Sequence, residues 1–329
     1  MGNSVSYELR REYMFELEKI VRGVGEALLS LHGYEVTDTH DYKGHESSTI
    51  DVFARERMQA LIDQFLPDFE GIIRLELNPY RRALVENSSG REPLVLIIDE
   101  IEGTTNTKRC QAATFDYRPH AGVSMALSTG EQLDGLVASA FYTLDQSEVF
   151  SSLSVGDGFF AAFRNRVLIN PADVVETRGD SRHRIIVAGY SNSHRKQKGE
   201  LEQVLYDVGL KVYDGCRASG LDTINLIRNS FDAYVDLRHY WSTKDSEGQE
   251  KEAMLQAYDI AGVIPIAAGC GLLISDATGS SWHSYTANST IPLVVARPGI
   301  YQLILQTISP LVHKWQDQCR NDKQRIGER

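Results

Sequence analysis

The chain has 329 residues, of which 42% are hydrophobic, so it can bury a large core in one or two domains and is not intrinsically disordered. Its formal net charge of −11 argues against binding to nucleic acid or to anionic membranes, although a bound cation would still permit a phosphorylated ligand. The four cysteines lack metal-ligand spacing and no apolar run could span a membrane, so we expect a cytoplasmic protein without stable membrane association.

Hydrophobic periodicity predicts helices at the start of the chain and strands in its middle. Apolar residues recur at helical spacing over about Val5–Leu31, and a polar loop, Thr37–Ser48, leads to a second helix, Val52–Phe65. Strands dominate Ile72–Val167. After Asn170 strands and helices alternate, which is typical of a three-layer α/β half. The alternating elements are strands at 185–188 and 210–213 and helices at 193–208 and 218–228.

A strand that ends in carboxylates carries the strongest chemical signal. The apolar run Leu94–Ile98 predicts a buried strand, and Asp99, Glu100 and Glu102 follow it, before the turn Gly103–Asn106. Carboxylate oxygens are preferred ligands of Mg2+, and free N–H groups at a helix N-terminus bind phosphate. On these residues alone, an acidic, solvated turn is an equal alternative to a metal and phosphate site.

A second segment, Ala257–Gly279, carries the matching chemistry. Asp259 opens an apolar stretch of small residues that predicts a tightly packed helix, which breaks near Gly269 before a strand, Leu272–Ser275. The helix dipole favours a carboxylate in the first turn, so a capping role explains Asp259 by itself. The same carboxylate could also reach a metal held by Asp99.

Together the two segments resemble the paired signatures of the inositol monophosphatase family of Mg2+-dependent phosphatases. The first family signature reads D-P-I-D-G-T-T-N, and residues 99–106 read D-E-I-E-G-T-T-N. The second reads W-D-x-A-A-G followed by an A-G-G turn, and Y-D-I-A-G at 258–262 is followed here by A-A-G-C-G. Three further segments, in the family's order, resemble its early Asp with a helix and strand, its strand meander, and its R-x-x-G-S helix. They are Ser48–Asn78, Gly122–Phe160 and Cys216–Asp236.

The resemblance implies an α+β or α/β protein with the layered αβαβα sugar-phosphatase fold and an active site between its halves. We predict an N-terminal half over residues 1–168, which contains the first signature, and a C-terminal half over 169–329, which contains the second. The resemblance also implies Mg2+ as cofactor, a small phosphorylated metabolite as substrate, and a homodimer.

The family's functional residues map onto positions along the whole chain. The implied metal ligands are Glu76, Asp99, the Ile101 carbonyl, Glu102 and Asp259. The implied catalytic residues are Asp51, Glu76 and Thr104. Asp51 and Thr104 would orient the attacking water and accept its proton, with Glu76 as the alternative base. Without the resemblance, Asp51 would be interpreted as a helix cap. The implied phosphate and substrate contacts are Glu102, Gly103, Thr104, Ser191, Arg217, Gly220 and Asp259.

Several positions depart from the family pattern. Glu102 replaces an Asp, which moves the carboxylate by about one C–C bond length, and Mg2+ demands near-ideal ligand geometry. A displacement of that size can cost on the order of a hundredfold in rate. Glu100 replaces a Pro and loosens the turn. Leu221 and Asp222 stand where the family often has Ser and a small residue, and Tyr258 replaces a Trp.

These departures leave two functions of different classes. The preferred one is an active phosphoric monoester hydrolase that uses metal-activated water, and the alternative is a divergent, catalytically weakened metabolite-binding protein. Within the enzyme class, fructose-1,6-bisphosphatase-like and nucleotide 3'-phosphatase-like activities stay open. The polar stretch Trp241–Ala253 is a solvated loop or a substrate-specificity lid, and Lys108 and Arg109 lie in a solvated turn or meet a second phosphate.

Overall fold

The structure is a computed structural model that describes most of the chain. The described residues are 5–31, 38–40, 46–69, 71–75, 79–82, 94–104, 106–107, 118–156, 158–176, 182–188, 195–241 and 255–327. Within them, the helices are α1 (Tyr7–Leu29), α2 (Thr49–Phe65), α3 (Pro171–Val175), α4 (Arg195–Asp207), α5 (Ser219–Ile227), α6 (Ala257–Ala261), α7 (Ile264–Gly269) and α8 (Pro298–Gly327).

Two long helices, α1 and α2, form the first layer. The Ser6 hydroxyl caps α1 by accepting a hydrogen bond from Leu9 N at 3.2 Å, which satisfies one of the free N–H groups of the first turn. The predicted apolar stripe of α1, including Leu17, Val21 and Val24, is fully buried. Both helices were predicted, although α2 begins at Thr49 and not at Val52, and their apolar faces pack against the larger sheet.

The larger sheet has eight strands in the order β10-β9-β8-β7-β6-β5-β3-β4. Neighbouring strands are antiparallel except β3 and β5, which are parallel. Helices cover both faces of β5, so its residues alternate between two cores and its sequence is an almost unbroken apolar run. The strands are β3 (Gly71–Leu75), β4 (Pro79–Arg82), β5 (Leu94–Glu102), β6 (Gly122–Thr129), β7 (Leu136–Thr143), β8 (Glu148–Gly156), β9 (Phe159–Arg164) and β10 (Val167–Leu168).

The smaller sheet has five strands in the order β12-β11-β13-β15-β14. Strand β11 is parallel to both β12 and β13, and β15 is antiparallel to both β13 and β14. The predicted alternation of strands and helices after residue 170 is present in this part of the chain. The strands are β11 (Arg184–Val187), β12 (Lys211–Asp214), β13 (Ala233–Asp236), β14 (Leu273–Asp276) and β15 (Leu293–Ala296).

The five layers of helices and sheets pack around three apolar cores. The first core joins α1 and α2 to the larger sheet, and the third joins the smaller sheet to α4 and α8. The middle core lies between the sheets and contains α5, α6 and α7, with Leu221, Ile224 and Ile264 fully buried. Helix α5 therefore packs against strands of both sheets. This order of layers is the predicted αβαβα arrangement.

Two local predictions differ from the structure. The segment predicted as a polar loop, Thr37–Ser48, contains the short antiparallel pair β1 (Asp38–His40) and β2 (Glu46–Ser48). The segment predicted as one helix after Asp259 is two short helices, because Gly262 and Val263 form a turn between α6 and α7. Asp259 accordingly lies at the third position of α6, and Pro265 occupies the first turn of α7, where its missing N–H costs nothing.

The larger sheet lies within the predicted half 1–168 and the smaller sheet within 169–329. The division into two halves at that boundary stays a prediction, since α5 contacts both sheets. In the part of the chain that the structure describes, none of the helices is long and apolar enough to cross a membrane.

Candidate active site

The end of β5 forms the floor of the candidate site. The pairing of β5 with β6 shifts register between Asp99 and Glu102, so the strand turns away from its neighbour there. Gly103 follows with φ of +89°, a left-handed conformation that glycine adopts without steric cost. A Cβ at this position would lie 3.0 Å from the His120 carbonyl oxygen. The bulge and the glycine together bring the acidic end of β5 into a tight turn.

A hydrogen-bonded group joins this turn to the start of α2. The Thr104 hydroxyl lies 3.1 Å from Asp51 Oδ1 and 3.1 Å from the Ile101 carbonyl oxygen, so it can donate to either. Ile101 N donates to Asp99 Oδ1 at 3.2 Å, within buried surroundings. Asp51 lies inside the first turn of α2 and not at its N-cap, because the helix begins at Thr49, and it contacts Thr104, as the resemblance implies.

Glu102 points away from the turn and towards α5. Its carboxylate accepts hydrogen bonds from Gly220 N and from Leu221 N, the latter at 3.2 Å. Burial raises the pKa of Glu102 well above its ordinary value, and the charges of Asp259 and Asp222 raise it further, against the lowering effect of the two N–H donors. Gly220 is required for this approach, because a Cβ there would lie 2.6 Å from Glu102 Oε2.

Asp259 belongs to α6, a helix that contacts β5. Its Oδ2 accepts from Gln256 N at 2.9 Å, so the carboxylate does cap α6. Burial raises the pKa of Asp259 to about 7, assisted by the charge of Asp236 and opposed by that hydrogen bond and by Arg238. Because Asp259 also raises the pKa of Glu102, the two predicted ligands are electrostatic neighbours.

A buried polar network on α5 and β13 was not predicted from the sequence. Arg238 pairs with Asp236 through Nη2 at 2.6 Å and Nε at 3.0 Å, and the Tyr234 hydroxyl lies 3.1 Å from Asp236 Oδ2. Asp222 accepts from Cys216 N with both oxygens, at 3.0 and 3.1 Å. Burial raises the pKa of Asp222 to about 7. The available signals were a carboxylate at the end of β13 and an arginine two residues later, but the burial of this pair follows only from the fold.

The other predicted contacts surround the start of α5. Gly220 is buried in the first turn of the helix, and Arg217 is exposed just before it with φ of +63°. Asn106 holds this corner through Nδ2, which donates to the Cys216 carbonyl at 2.5 Å and to the His120 carbonyl at 2.7 Å. The motif asparagine thus connects the β5 turn to the residue that precedes Arg217.

The structure places one set of the predicted residues at the end of β5 or on elements that contact it. They are Asp51, Asp99, Ile101, Glu102, Gly103, Thr104, Gly220 and Asp259. Within the described residues, however, no three His, Cys, Asp or Glu side chains form a group able to hold a metal ion, so Asp99, Glu102 and Asp259 do not converge on one such group. Glu76, Ser191, Lys108, Arg109 and most of the predicted lid (242–253) lie outside the described residues, so their predicted roles stay predictions.

Comparisons with known proteins were made by sequence and by structure. No family model and no curated protein matches the sequence. Solved structures match over almost their full lengths. An IMPase from Thermotoga maritima superposes with a TM-score of 0.65 and 17% identity, over 91% of this chain and 97% of that one. An inositol monophosphatase from Anabaena (Nostoc) sp. superposes with a TM-score of 0.61 and 14% identity, over 91% and 96%.

A third structure, a dual-specific IMPase/NADP phosphatase bound to D-inositol-1-phosphate, gives a TM-score of 0.61 and 14% identity, over 92% of this chain and 96% of that one. Identities of this size are too low to carry over activity or substrate, but the coverage leaves no large part of the relatives unmatched. The predicted resemblance is therefore confirmed at the level of the fold, and the chain has the α+β layered sugar-phosphatase fold of the inositol monophosphatases.

Proposed function

We propose that the chain is a Mg2+-dependent phosphomonoesterase that hydrolyses a small phosphorylated metabolite. The observation that supports it best is the hydrogen-bonded group of Thr104, Asp51 and the Ile101 carbonyl, which lies beside the buried Asp99 at the end of β5. Asp51 and Thr104 are 53 residues apart in sequence. Their contact is expected if they act together on a water molecule and is not needed to build either element.

The oxygen donors at the end of β5 fit a hard cation in their chemistry. Asp99, the Ile101 carbonyl and Asp259 offer the oxygens that Mg2+ prefers, and Glu76 is the fourth proposed ligand. Each Glu102 oxygen accepts one N–H bond and keeps a lone pair, so Glu102 can complete the set. Burial is the main cause of the raised pKa of Glu102 and of Asp259, and neighbouring carboxylates raise both further, so a bound cation would offset the cost of holding these groups charged. A bound Mg2+ would neutralise phosphate charge and activate water.

The proposed chemistry of the protein residues is orientation and proton transfer. Thr104 Oγ1 would accept a hydrogen bond from the attacking water while its own proton is directed at Asp51. Asp51 would then take the proton that the water loses, with Glu76 as the alternative base. The N–H groups of Gly103 and Thr104 would contact phosphate oxygens. Ser191, Arg217 and Gly220 are proposed to contact the rest of the substrate.

Phosphate release with and without Mg2+ tests the proposal. The panel contains an aryl phosphate, inositol 1-phosphate, NADP+, fructose 1,6-bisphosphate and a nucleoside 3'-phosphate. We expect Asp99→Asn to abolish release and to weaken Mg2+ binding in calorimetry, whereas Asp68→Asn, in an exposed turn after α2, changes neither. Equal release by Asp99→Asn and the unaltered protein would contradict the proposal. Sedimentation of the same sample tests the predicted homodimer.

The hydrogen bonds of Glu102 favour a second candidate, the catalytically weakened metabolite-binding protein. Both oxygens of this carboxylate contact α5, so the side chain that should reach the metal is partly engaged elsewhere. If this candidate is correct, calorimetry will detect binding of a phosphorylated metabolite, while the same compound releases no phosphate at saturating Mg2+. Turnover of any panel member would exclude it.

A further inference from the structure

Helix α5 is held to the larger sheet at both ends. At its N-terminus the contact is Glu102 of β5, which accepts from Gly220 N and Leu221 N. The N-cap residue, Ala218, has no side chain that could do this. The position of the first turn of α5 is therefore set by a residue of the candidate site.

At the C-terminus the contact is Arg228, the C-cap residue of α5. Its side chain is only 6% exposed. Nε and Nη2 donate to Glu148 Oε2 at 3.1 and 2.8 Å, and Nη1 and Nη2 donate to the Asp145 carboxylate at 2.8 and 3.1 Å. Nη2 also donates to Thr143 Oγ1 at 2.9 Å. All three acceptors belong to the β7–β8 hairpin of the larger sheet.

The geometry of these contacts needs an arginine. A planar guanidinium presents several N–H groups in a fixed fork, and here the fork reaches two carboxylates and a hydroxyl together. Arg228 also donates to Asn225 within α5 at 3.3 Å, which ties the fork to the helix itself. A lysine keeps the charge but cannot make these contacts at once. A helix of nine residues spans about 13 Å and moves as a rigid rod, so displacing its last turn displaces its first.

We propose that Arg228 is a positioning residue for the candidate site: by fastening the end of α5 to the β7–β8 hairpin, it fixes where Gly220 and Leu221 meet Glu102. This inference rests on the proposed phosphatase function for its catalytic consequence. In the part of the chain that the structure describes, the hydrogen bonds of Arg228 go to none of the predicted ligands or substrate contacts, so it acts through the helix. The contacts of Arg228 thus link the β7–β8 hairpin of the larger sheet to a helix that packs between both sheets.

Hydrogen exchange and kinetics on the full chain test the proposal. Arg228→Lys is the main variant, and Arg228→Met combined with Asp145→Asn avoids leaving the Asp145 carboxylate without its cation, while Glu148 keeps its partner Arg164. The matched control is Arg166→Lys, because Arg166 Nε donates at 2.9 Å to the buried Glu18 on α1 and not to α5. The readouts are amide exchange at Gly220 and Leu221, and kcat and KM measured separately.

We expect Arg228→Lys to speed exchange of the two amides by roughly tenfold, the change that losing about one charge-assisted hydrogen bond produces. The double variant should do the same, both should lower kcat/KM, and Arg166→Lys should change neither readout. Unchanged exchange in the Arg228 variants would overturn the proposal, and so would faster exchange with unchanged kcat and KM. If the unaltered protein releases no phosphate, only the proposed phosphatase function is refuted. The exchange of the two amides still shows whether Arg228 positions α5.

Discussion

Replacing Gly220 by alanine measures how closely Glu102 packs against α5. A Cβ at Gly220 would lie 2.6 Å from Glu102 Oε2 and 2.8 Å from Phe141 Cε2, and both neighbours are buried. Gly199 is the matched control, because it also lies in a helix, α4, and a Cβ there meets nothing within 4 Å. Neither glycine has a left-handed backbone, so alanine is conformationally allowed at both.

The two substitutions should change stability in opposite directions. Gly199→Ala should stabilise the protein by about 0.5–1 kcal/mol, since alanine loses less backbone entropy in a helix than glycine does. Gly220→Ala gains at most the same entropic stabilisation, but it loses about 1–3 kcal/mol of stability because Glu102 and Phe141 must move. We therefore expect the two variants to differ by roughly 1–3 kcal/mol in the free energy of unfolding, with Gly220→Ala the less stable.

Urea unfolding followed by tryptophan fluorescence and by circular dichroism gives these free energies, provided that the two transitions coincide. Calorimetric Mg2+ titration of the same proteins adds a local readout, because Gly199 is remote from the candidate site. If Gly220→Ala proves as stable as Gly199→Ala, the close approach of Glu102 to α5 is wrong, and the positions assigned to Gly220 and Leu221 at the site are wrong with it.

The remaining predictions concern carboxylates of the acidic group. Glu102→Asp should weaken the contacts to α5 and lower the free energy of unfolding by about 1–2 kcal/mol, and a large gain in Mg2+-dependent phosphate release would show that Glu102 marks a decayed site. Asp222, with its pKa raised to about 7, holds its proton more tightly when folded, so its contribution to stability is present at low pH and is lost as pH rises from about 4 to 7. Asp222→Asn should therefore flatten the dependence of urea midpoints on pH in that window, and an unchanged slope would contradict the buried assignment. Thr104→Val should lower kcat by about a hundredfold without unfolding the protein, and equal kcat would exclude the pairing with Asp51 from the mechanism.

Much of the fold could be predicted from the sequence because its elements have clear periodicities. The stripe through Leu17, Val21 and Val24 specifies a helix with one buried face, and the unbroken apolar run of β5 specifies a strand with helices on both sides. The short pair β1–β2 could not be predicted, because three-residue strands are too short to show a period of two. The break between α6 and α7 was missed because small apolar residues fit a helix and a turn equally well.

The site was predictable where its chemistry is local and not where it depends on tertiary contacts. Asp99 and Thr104 lie on one turn, so a motif of eight residues is enough to find them. Arg228 could not be found in this way, because its partners on the β7–β8 hairpin are about 80 positions away in sequence and each is an ordinary surface residue type. The Asp236–Arg238 pair is local in sequence, at a separation of two positions, but its burial follows only from the tertiary packing.

Glu102 shows why a single departure from a motif has to be interpreted in three dimensions. From the sequence alone, the extra methylene of Glu102 moves a metal-binding carboxylate out of place, and a slower enzyme is expected. In the structure the same methylene carries the carboxylate to the free N–H groups of α5, where the helix dipole favours negative charge and where glycine leaves room for it. Two functions then compete for one side chain, ligand and helix cap, and a carboxylate has enough lone pairs to serve both. The orientation of the Glu102 carboxylate in the site then depends on the position of α5, and therefore on Arg228 at the far end of that helix.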